Sequence, residues 1–237
     1  MKVAIIGYGR MGHIIEQKLE ERGHTIVARF NSQGIDLNEL KKAEIAIEFS
    51  KPESAFSNIK TALETNIPVV SGTTGWLEHY QDITALSEKK QVGFLYASNF
   101  SLGVNLFFAI NKKLAALMSS YPSYEASLTE VHHLQKLDAP SGTAITLAEQ
   151  ILAQNKQYKN WSLLGEAAKN DLSIEALREK DVPGTHIINY NSPIDSISIK
   201  HTAHNREGFA LGAVLAAEYL ITKNGVCTMQ DVLNLNE

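Results

Sequence analysis

Two rhythms of apolar residues alternate along this chain. Residues 3–6 form an unbroken apolar run with β-branched members, as expected of a strand buried on both faces. Residues 24–30, 44–49, 68–71 and 92–97 read as further short strands. Between the first two, Met11, Ile14, Ile15 and Leu19 recur at helical spacing and Gly23 supplies the stop. Pro52 opens another helix as a first-turn proline. A long helix is predicted over 103–118, with Leu106, Ile110, Leu114 and Leu117 among its apolar positions. Residues 124–129 then alternate apolar and polar, as a half-buried strand does, and Ile145, Leu147, Ala148, Ile151 and Leu152 return to helical spacing. Beyond Tyr158 the rhythm becomes that of strands, at 172–178, 185–190 and 194–202, punctuated by Pro183-Gly184 and Asn191-Ser-Pro193. Ile197 and Ile199 alternate with Ser196, Ser198 and Lys200, so that sheet has one polar face and needs a cover, which self-association could provide. A last helix, 209–221, is expected to return to the first domain.

Composition narrows the classes. The 237 residues allow one large or two modest domains, and 44% hydrophobic with 20% charged residues is ordinary for a soluble globular chain. The net charge of −4 offers no global field for nucleic acid or an anionic membrane, so an anionic substrate needs local positive charge. One cysteine, Cys227, leaves no internal disulfide; it fits a reducing compartment and reads as structural. No apolar run approaches the roughly twenty residues needed to span a bilayer, and the apolar start is too short for a signal peptide. A cytoplasmic protein with no membrane or nucleic-acid partner is expected.

The first chemistry lies directly after the first strand. Gly7, Tyr8, Gly9, Arg10, Met11 and Gly12 form a G-x-G-x-x-G turn between a strand and a helix, the context that makes this pattern a dinucleotide-binding fingerprint. The glycines admit the pyrophosphate to the backbone at a helix N-terminus. An acid usually follows the second strand to hold the ribose hydroxyls. Here Arg29, Asn31 and Ser32 stand there instead. They could take a 2′-phosphate, which leans toward NADPH over NADH, or Arg29 could be an exposed strand-end charge. Gly72-Thr73-Thr74-Gly75 is a small turn at a strand's carboxyl end, where ligands lie in doubly wound sheets.

The second chemistry is the stretch Glu130-Val-His-His-Leu-Gln-Lys-Leu-Asp-Ala-Pro-Ser-Gly-Thr-Ala144, read as starting where a strand ends and closing where a helix begins. Pro140 interrupts regular structure, and Ser141 is a natural N-cap. Gly142 and Thr143 would then present backbone N–H groups to an anion, and a carboxylate suits them. His132, His133 and Lys136 lie just upstream and could supply protons or positive charge.

This stretch resembles the substrate motif of dihydrodipicolinate reductases, which reads roughly E-x-H-H-x-x-K-x-D-x-P-S-G-T-A; every fixed position is matched. Further likenesses extend from residue 3 to about 220. Glu48-Phe-Ser-Lys-Pro52 looks like the family's D-F-S/T-x-P with Glu for Asp. Gly72, Thr73 and Thr74 fall where the family meets the nicotinamide half of its cofactor. Ala97, Ser98, Asn99 and Phe100 resemble the start of the family's crossing into its second domain. Gly184-Thr-His186 resembles a family G-x-H, and Arg206 falls at a substrate-holding arginine.

The resemblance implies an α/β chain: a Rossmann-like dinucleotide-binding domain of residues 1–101 and 207–237, and an α+β substrate-binding and oligomerisation domain of 102–206. It implies NAD(P)H-dependent reduction of the cyclic imine formed from 4-hydroxy-tetrahydrodipicolinate, in lysine and diaminopimelate biosynthesis. His132 would be the proton donor and Lys136 a second one. His133, Ser141, Gly142, Thr143 and Arg206 would hold a small dicarboxylate. NADPH and NADH are the expected cofactors, no metal is expected, and the partner is further copies of the chain, as a homotetramer. An amino-acid dehydrogenase of similar architecture would be expected to lack this motif. A dinucleotide sensor without activity would need no proton donors in its second half.

Overall fold

The computed structural model describes residues 1–166 and 168–235. In chain order the elements are β1 (Lys2–Ile6), α1 (Arg10–Glu21), β2 (Thr25–Phe30), α2 (Leu37–Leu40), β3 (Ile45–Glu48), α3 (Pro52–Glu64), β4 (Val69–Ser71), α4 (Tyr80–Lys90) and β5 (Phe94–Tyr96). Next come α5 (Leu102–Met118), β6 (Glu125–His133), α6 (Gly142–Gln154), β7 (Asn160–Leu163), β8 (Asp171–Glu179), β9 (Gly184–Asn191) and β10 (Ser196–Ala203). The chain closes with α7 (Glu207–Leu220), β11 (Val226–Cys227) and α8 (Met229–Val232). Two compact units result: Met1–Leu102 with the segment from Glu207 onward, and Gly103–Arg206. No helix among the described residues is long and apolar enough to cross a membrane.

The first unit is Rossmann-like. Its sheet runs β2-β1-β3-β4-β5-β11, with every neighbouring pair parallel. Alternation along the strands feeds two cores. Val3 and Ile5 join Ile15, Leu19, Ala213 and Leu220 on the face covered by α1 and α7. Ala4 and Ile6 join Ile59, Leu63 and Ile83 on the face covered by α3 and α4. Both faces are apolar, which is why these strands read as unbroken runs.

The second unit is a mixed sheet in the order β10-β9-β6-β8-β7. β6 runs parallel to β8 and antiparallel to β9. Leu128, Ile174, Ile188 and Tyr190 face a core shared with Leu147 and Ile151 of α6 and Phe107 and Ala115 of α5. The other face carries Ser127, Thr129, Ser173 and Asn189, all half-buried.

Several expectations need correction. The strand predicted to end at 129 continues to His133, so Glu130, His132 and His133 are themselves strand residues. In α5, Leu106, Ile110 and Leu117 are exposed, and the buried stripe is Val104, Phe107, Asn111, Ala115 and Met118. Apolar residues surround that helix, so their spacing does not choose a face. The strand predicted from 194 starts at Ser196, after an exposed Ile194. Helices α2 and α4, strands β7 and β11, and α8 are not announced by the hydrophobic pattern. In α4, for instance, only Ile83 and Ser87 are buried.

Candidate active site

In the first unit the glycine turn follows β1 at the carboxyl edge of the sheet. The Gly7 and Tyr8 amides both donate to the Phe30 carbonyl, which ties the turn to the end of β2. The three glycines serve different needs. Gly7 has φ +96°, and a Cβ there would lie 2.0 Å from the Phe49 carbonyl oxygen. At Gly12 a Cβ would lie 2.6 Å from the Gly7 oxygen. Gly9, the residue before α1, has φ −99°, and among the described residues no atom beyond its chain neighbours lies within 4 Å of where its Cβ would be. Nothing among the described residues requires glycine at that position, whereas a ligand approaching the helix N-terminus would. Gly9, Phe49 and Ser50 line two cavities. One, of about 360 Å³, reaches Arg10, Met11 and the Gly72-Thr73-Thr74 turn. The other, of about 590 Å³, reaches Tyr8, Asn31 and Ser32. The turn therefore fits a dinucleotide, with room on both sides of the point where the backbone is bare.

Glu48 builds the wall between these loops. Its wholly buried carboxylate accepts from the Ser50 amide at 3.0 Å, the Ser50 hydroxyl, Ser71 Oγ at 2.7 Å and Thr73 Oγ1 at 2.9 Å. Thr73 Oγ1 in turn accepts from the Ser50 amide. A buried carboxylate is tolerated when its lone pairs are filled this way. It locks the Ser50 and Thr73 loops together at the cavity. Thr74 is exposed, while Gly72 is packed so tightly that a Cβ would lie 2.3 Å from the Phe49 ring. Ala97 donates its amide to the Ser71 carbonyl, which sets residues 97–100 beside the same sheet edge. Ser98 is exposed and the Asn99 side chain accepts from the Ser101 amide. Phe100 is 2% exposed and its ring lies 5.6 Å from that of Phe49, so its side chain belongs to the core.

Arg29 is already engaged. It pairs with Glu16 of α1 and lies 5.8 Å above the Tyr8 ring, whose hydroxyl also donates to Glu16. The Arg29 guanidinium, then the Tyr8 hydroxyl, hold the Glu16 carboxyl below the usual carboxylate range. A carboxylate from α1 thus stands at the end of β2, paired with Arg29.

In the second unit the motif forms a buried polar cluster. Glu130 and His132 alternate inward on β6, with exposures of 0% and 7%; His133 takes the opposite face because the strand continues through it. His132 Nδ1 lies 3.5 Å from Glu130, His186 Nε2 lies 3.8 Å from it, and the two imidazole centroids are 5.1 Å apart. Ser141 caps α6 by accepting from the Ala144 amide and contacts His186 Nε2 at 3.2 Å. The helix terminus already holds an anion, for both Glu130 oxygens accept from the Ser141 amide, at 3.1 and 3.0 Å. Gly142 is exposed and Thr143 half-buried at the next two positions. Burial pushes the His186 imidazole down to about 3, helped by the nearby His132, so it is neutral at ordinary pH. Burial also lowers His132, against the upward pull of Glu130. Glu130, His132 and His186 bring ligand-type atoms within 4.8 Å of one another, but the carboxylate that would anchor a cation is taken by Ser141 and faces Arg178 at 3.4 Å.

Lys136 stands on the loop between β6 and α6, with its ammonium 2.7 and 2.8 Å from the two Asp138 oxygens. Arg206 is an exposed residue after β10, and no hydrogen bond or ion pair among the described residues joins it to the motif. Sequence reasoning missed Glu16 and Arg178 and assigned no role to Glu48 or Glu130. Each makes contacts with residues 8 to 48 positions away, which short-range patterns do not reveal.

Comparison with known proteins gives one answer along the whole chain. Residues 1–100 match the family model described as dihydrodipicolinate reductase, N-terminus, and residues 103–233 match that of its C-terminus. The 4-hydroxy-tetrahydrodipicolinate reductase of Christiangramia forsetii is 52% identical over 236 residues, covering 99% of this chain and 98% of that protein. Among solved structures, the dipicolinate-bound dihydrodipicolinate reductase of Paenisporosarcina sp. TG-14 superposes with a TM-score of 0.78 at 22% identity, over 98% of each chain. An amine dehydrogenase from Mycobacterium smegmatis shares the fold at a TM-score of 0.57 and 11% identity, over 97% of this chain and 95% of that one.

Proposed function

The chain belongs to the dihydrodipicolinate reductase family, and we propose that it reduces 4-hydroxy-tetrahydrodipicolinate, by way of the dehydrated cyclic imine, to tetrahydrodipicolinate with a nicotinamide cofactor. The observation that carries this is the cluster in the second unit, where Glu130, His132, Ser141 and the Lys136 loop converge on one helix N-terminus. A reduced nicotinamide, when bound, supplies the hydride. The chain's own residues do the rest. The Gly142 and Thr143 amides receive one carboxylate of the ring, and the Lys136 ammonium meets its charge. His133 and Arg206 extend the grip on the dicarboxylate. His132 delivers a proton as negative charge builds in the ring. The depressed affinity of its imidazole for protons rises again when a dianion binds beside it. Lys136 is the second donor. Purified protein supplied with the upstream synthase product should oxidise NADPH stoichiometrically. A chain that binds NADPH but shows no turnover would be the sensor, not the reductase.

The cofactor sits on the glycine turn, Gly7 to Gly12, with Gly72, Thr73, Thr74 and residues 97–100 along the nicotinamide half. Both NADPH and NADH are accepted, with a lean to NADPH through Arg29. Arg29→Ala should weaken NADPH more than NADH, by about fivefold for a half-exposed contact worth about 1 kcal/mol. Glu16→Gln, which frees Arg29, should shift preference the other way, toward NADPH. Equal changes for both cofactors would show that Arg29 does not read the 2′-phosphate.

The working form is a cytoplasmic homotetramer assembled through the second unit's sheet. The half-buried face of Ser127, Thr129, Ser173 and Asn189 supports this, since it is the face that the helices leave uncovered. Sedimentation at micromolar concentration should show a single species of four chains; a monomer would refute it.

A further inference from the structure

Arg178 serves an unusual set of acceptors, all within the second unit. It lies beside His132 in the β6–β8 register. Its N–H groups reach the carbonyls of Leu177 at 2.7 Å, Asp138 at 2.6 Å and Lys136 at 3.4 Å. Both terminal nitrogens also lie 3.4 Å from one oxygen of the wholly buried Glu130. Residues 134–141 have no regular structure of their own, yet the backbone is gripped on both sides of Leu137. The Lys136 ammonium is in turn tied to Asp138, one of the gripped residues.

We infer that Arg178 is a positioning residue: anchored on Glu130, it clamps the loop that sets the Lys136 ammonium toward the substrate. The inference rests on the proposed reductase reading for the role of Lys136. The geometry suits arginine because a planar fork can serve several fixed acceptors at once, whereas a lysine ammonium is a single point charge on a flexible stem. Glu130 is the other half of the clamp. It ties the guanidinium to the Ser141 amide, so the loop is pinned to the first turn of α6 as well as to β8.

The test is steady-state kinetics of Arg178→Lys, which keeps a cation beside Glu130 but cannot reach both loop carbonyls. Displacing a functional group by about an ångström costs up to about a hundredfold, so kcat/KM should fall ten- to a hundredfold, with a raised KM for substrate. NADPH affinity and Tm should stay near wild type. A merely structural role would not predict a further result: because Arg178 acts through Lys136, Lys136→Ala should cost much less in the Arg178→Lys background than in the wild type. Should Arg178→Lys fail to fold, Glu130→Gln loosens the same clamp from its other side and should show the same non-additivity. A folded variant with kcat/KM within twofold of wild type overturns the inference, as do losses that multiply in full with that of Lys136→Ala. If the wild-type chain itself does not turn over, the reductase reading falls first and this inference with it. An active wild type beside an unaffected clamp variant removes this inference alone.

Discussion

Lys136→Ala is expected to lower turnover at saturating substrate by at least about a hundredfold and to raise the Michaelis constant for substrate, while NADPH binds as in the wild type. A positioned acid contributes about a hundred- to ten-thousandfold in rate. The ammonium also offers a charge-assisted contact to a carboxylate, so ground-state binding suffers too. Stability should hardly change. Lys136 pairs with Asp138, which is 61% exposed, and surface ion pairs are worth little. His132→Gln should instead lower mainly the turnover number, because glutamine removes the transferable proton and keeps a hydrogen-bonding group of similar size beside Glu130. Its fold cost should be larger than that of Lys136→Ala, since His132 is 7% exposed. Both variants should bind NADPH with wild-type affinity by fluorescence titration, as all the motif's contacts described above lie in the second unit. The assignment fails if either variant keeps more than about a tenth of wild-type turnover. Joint loss of folding and cofactor binding would make the cluster structural.

How much of this could be read from the sequence depends on how far apart the interacting residues lie. β1, β3, β4 and β5 were legible because strands buried in the sheet are mostly apolar, and the glycine turn because it sits between a strand and a helix signal. The Ser141 cap was legible because capping acts over three residues. Among the described residues β7 pairs with β8 at the edge of its sheet, and its four residues Asn-Trp-Ser-Leu alternate polar and apolar over too short a run to stand out from a loop. The end of β6 was misjudged for a physical reason. Glu130 and His132 look like loop residues, and the Ser141 amide, Arg178 and His186, contributed from three other segments, surround the buried Glu130 carboxylate. Arg29 shows the same limit. Its position near the end of β2 points to the ribose, yet its partner Glu16 comes from the preceding helix. Gly212 left one overlooked signal, a glycine inside an otherwise apolar helix. A Cβ there would lie 1.7 Å from the Phe100 carbonyl oxygen, so α7 packs directly on the chain leaving β5.

Gly9→Ala and Gly7→Ala are expected to fail in opposite ways. At Gly7 the left-handed φ of +96° and the Phe49 carbonyl, 2.0 Å from any Cβ, both exclude a side chain. Strain of about 1–3 kcal/mol for the backbone alone, with a backbone clash added, should leave little folded protein. At Gly9 the φ of −99° suits any residue, and among the described residues no atom beyond its chain neighbours lies within 4 Å of the new methyl group. Alanine there gives up only a modest preference at the residue before a helix, about 1 kcal/mol, or about 2–4 °C in Tm. The methyl group would instead stand where the two cavities meet, between the helix N-terminus and an incoming pyrophosphate. Losing one or two charge-assisted contacts of about 1.5–3 kcal/mol each should weaken NADPH by tenfold or more, and NADH alongside it, because the pyrophosphate is common to both. Calorimetric titration and thermal unfolding of the same Gly9→Ala sample read both quantities. Wild-type affinity in a folded Gly9→Ala protein would mean that the cofactor does not approach the backbone at this turn. A Gly9→Ala protein that unfolds would mean that the glycine answers to the chain, and the open space above it would lose its meaning as a binding surface.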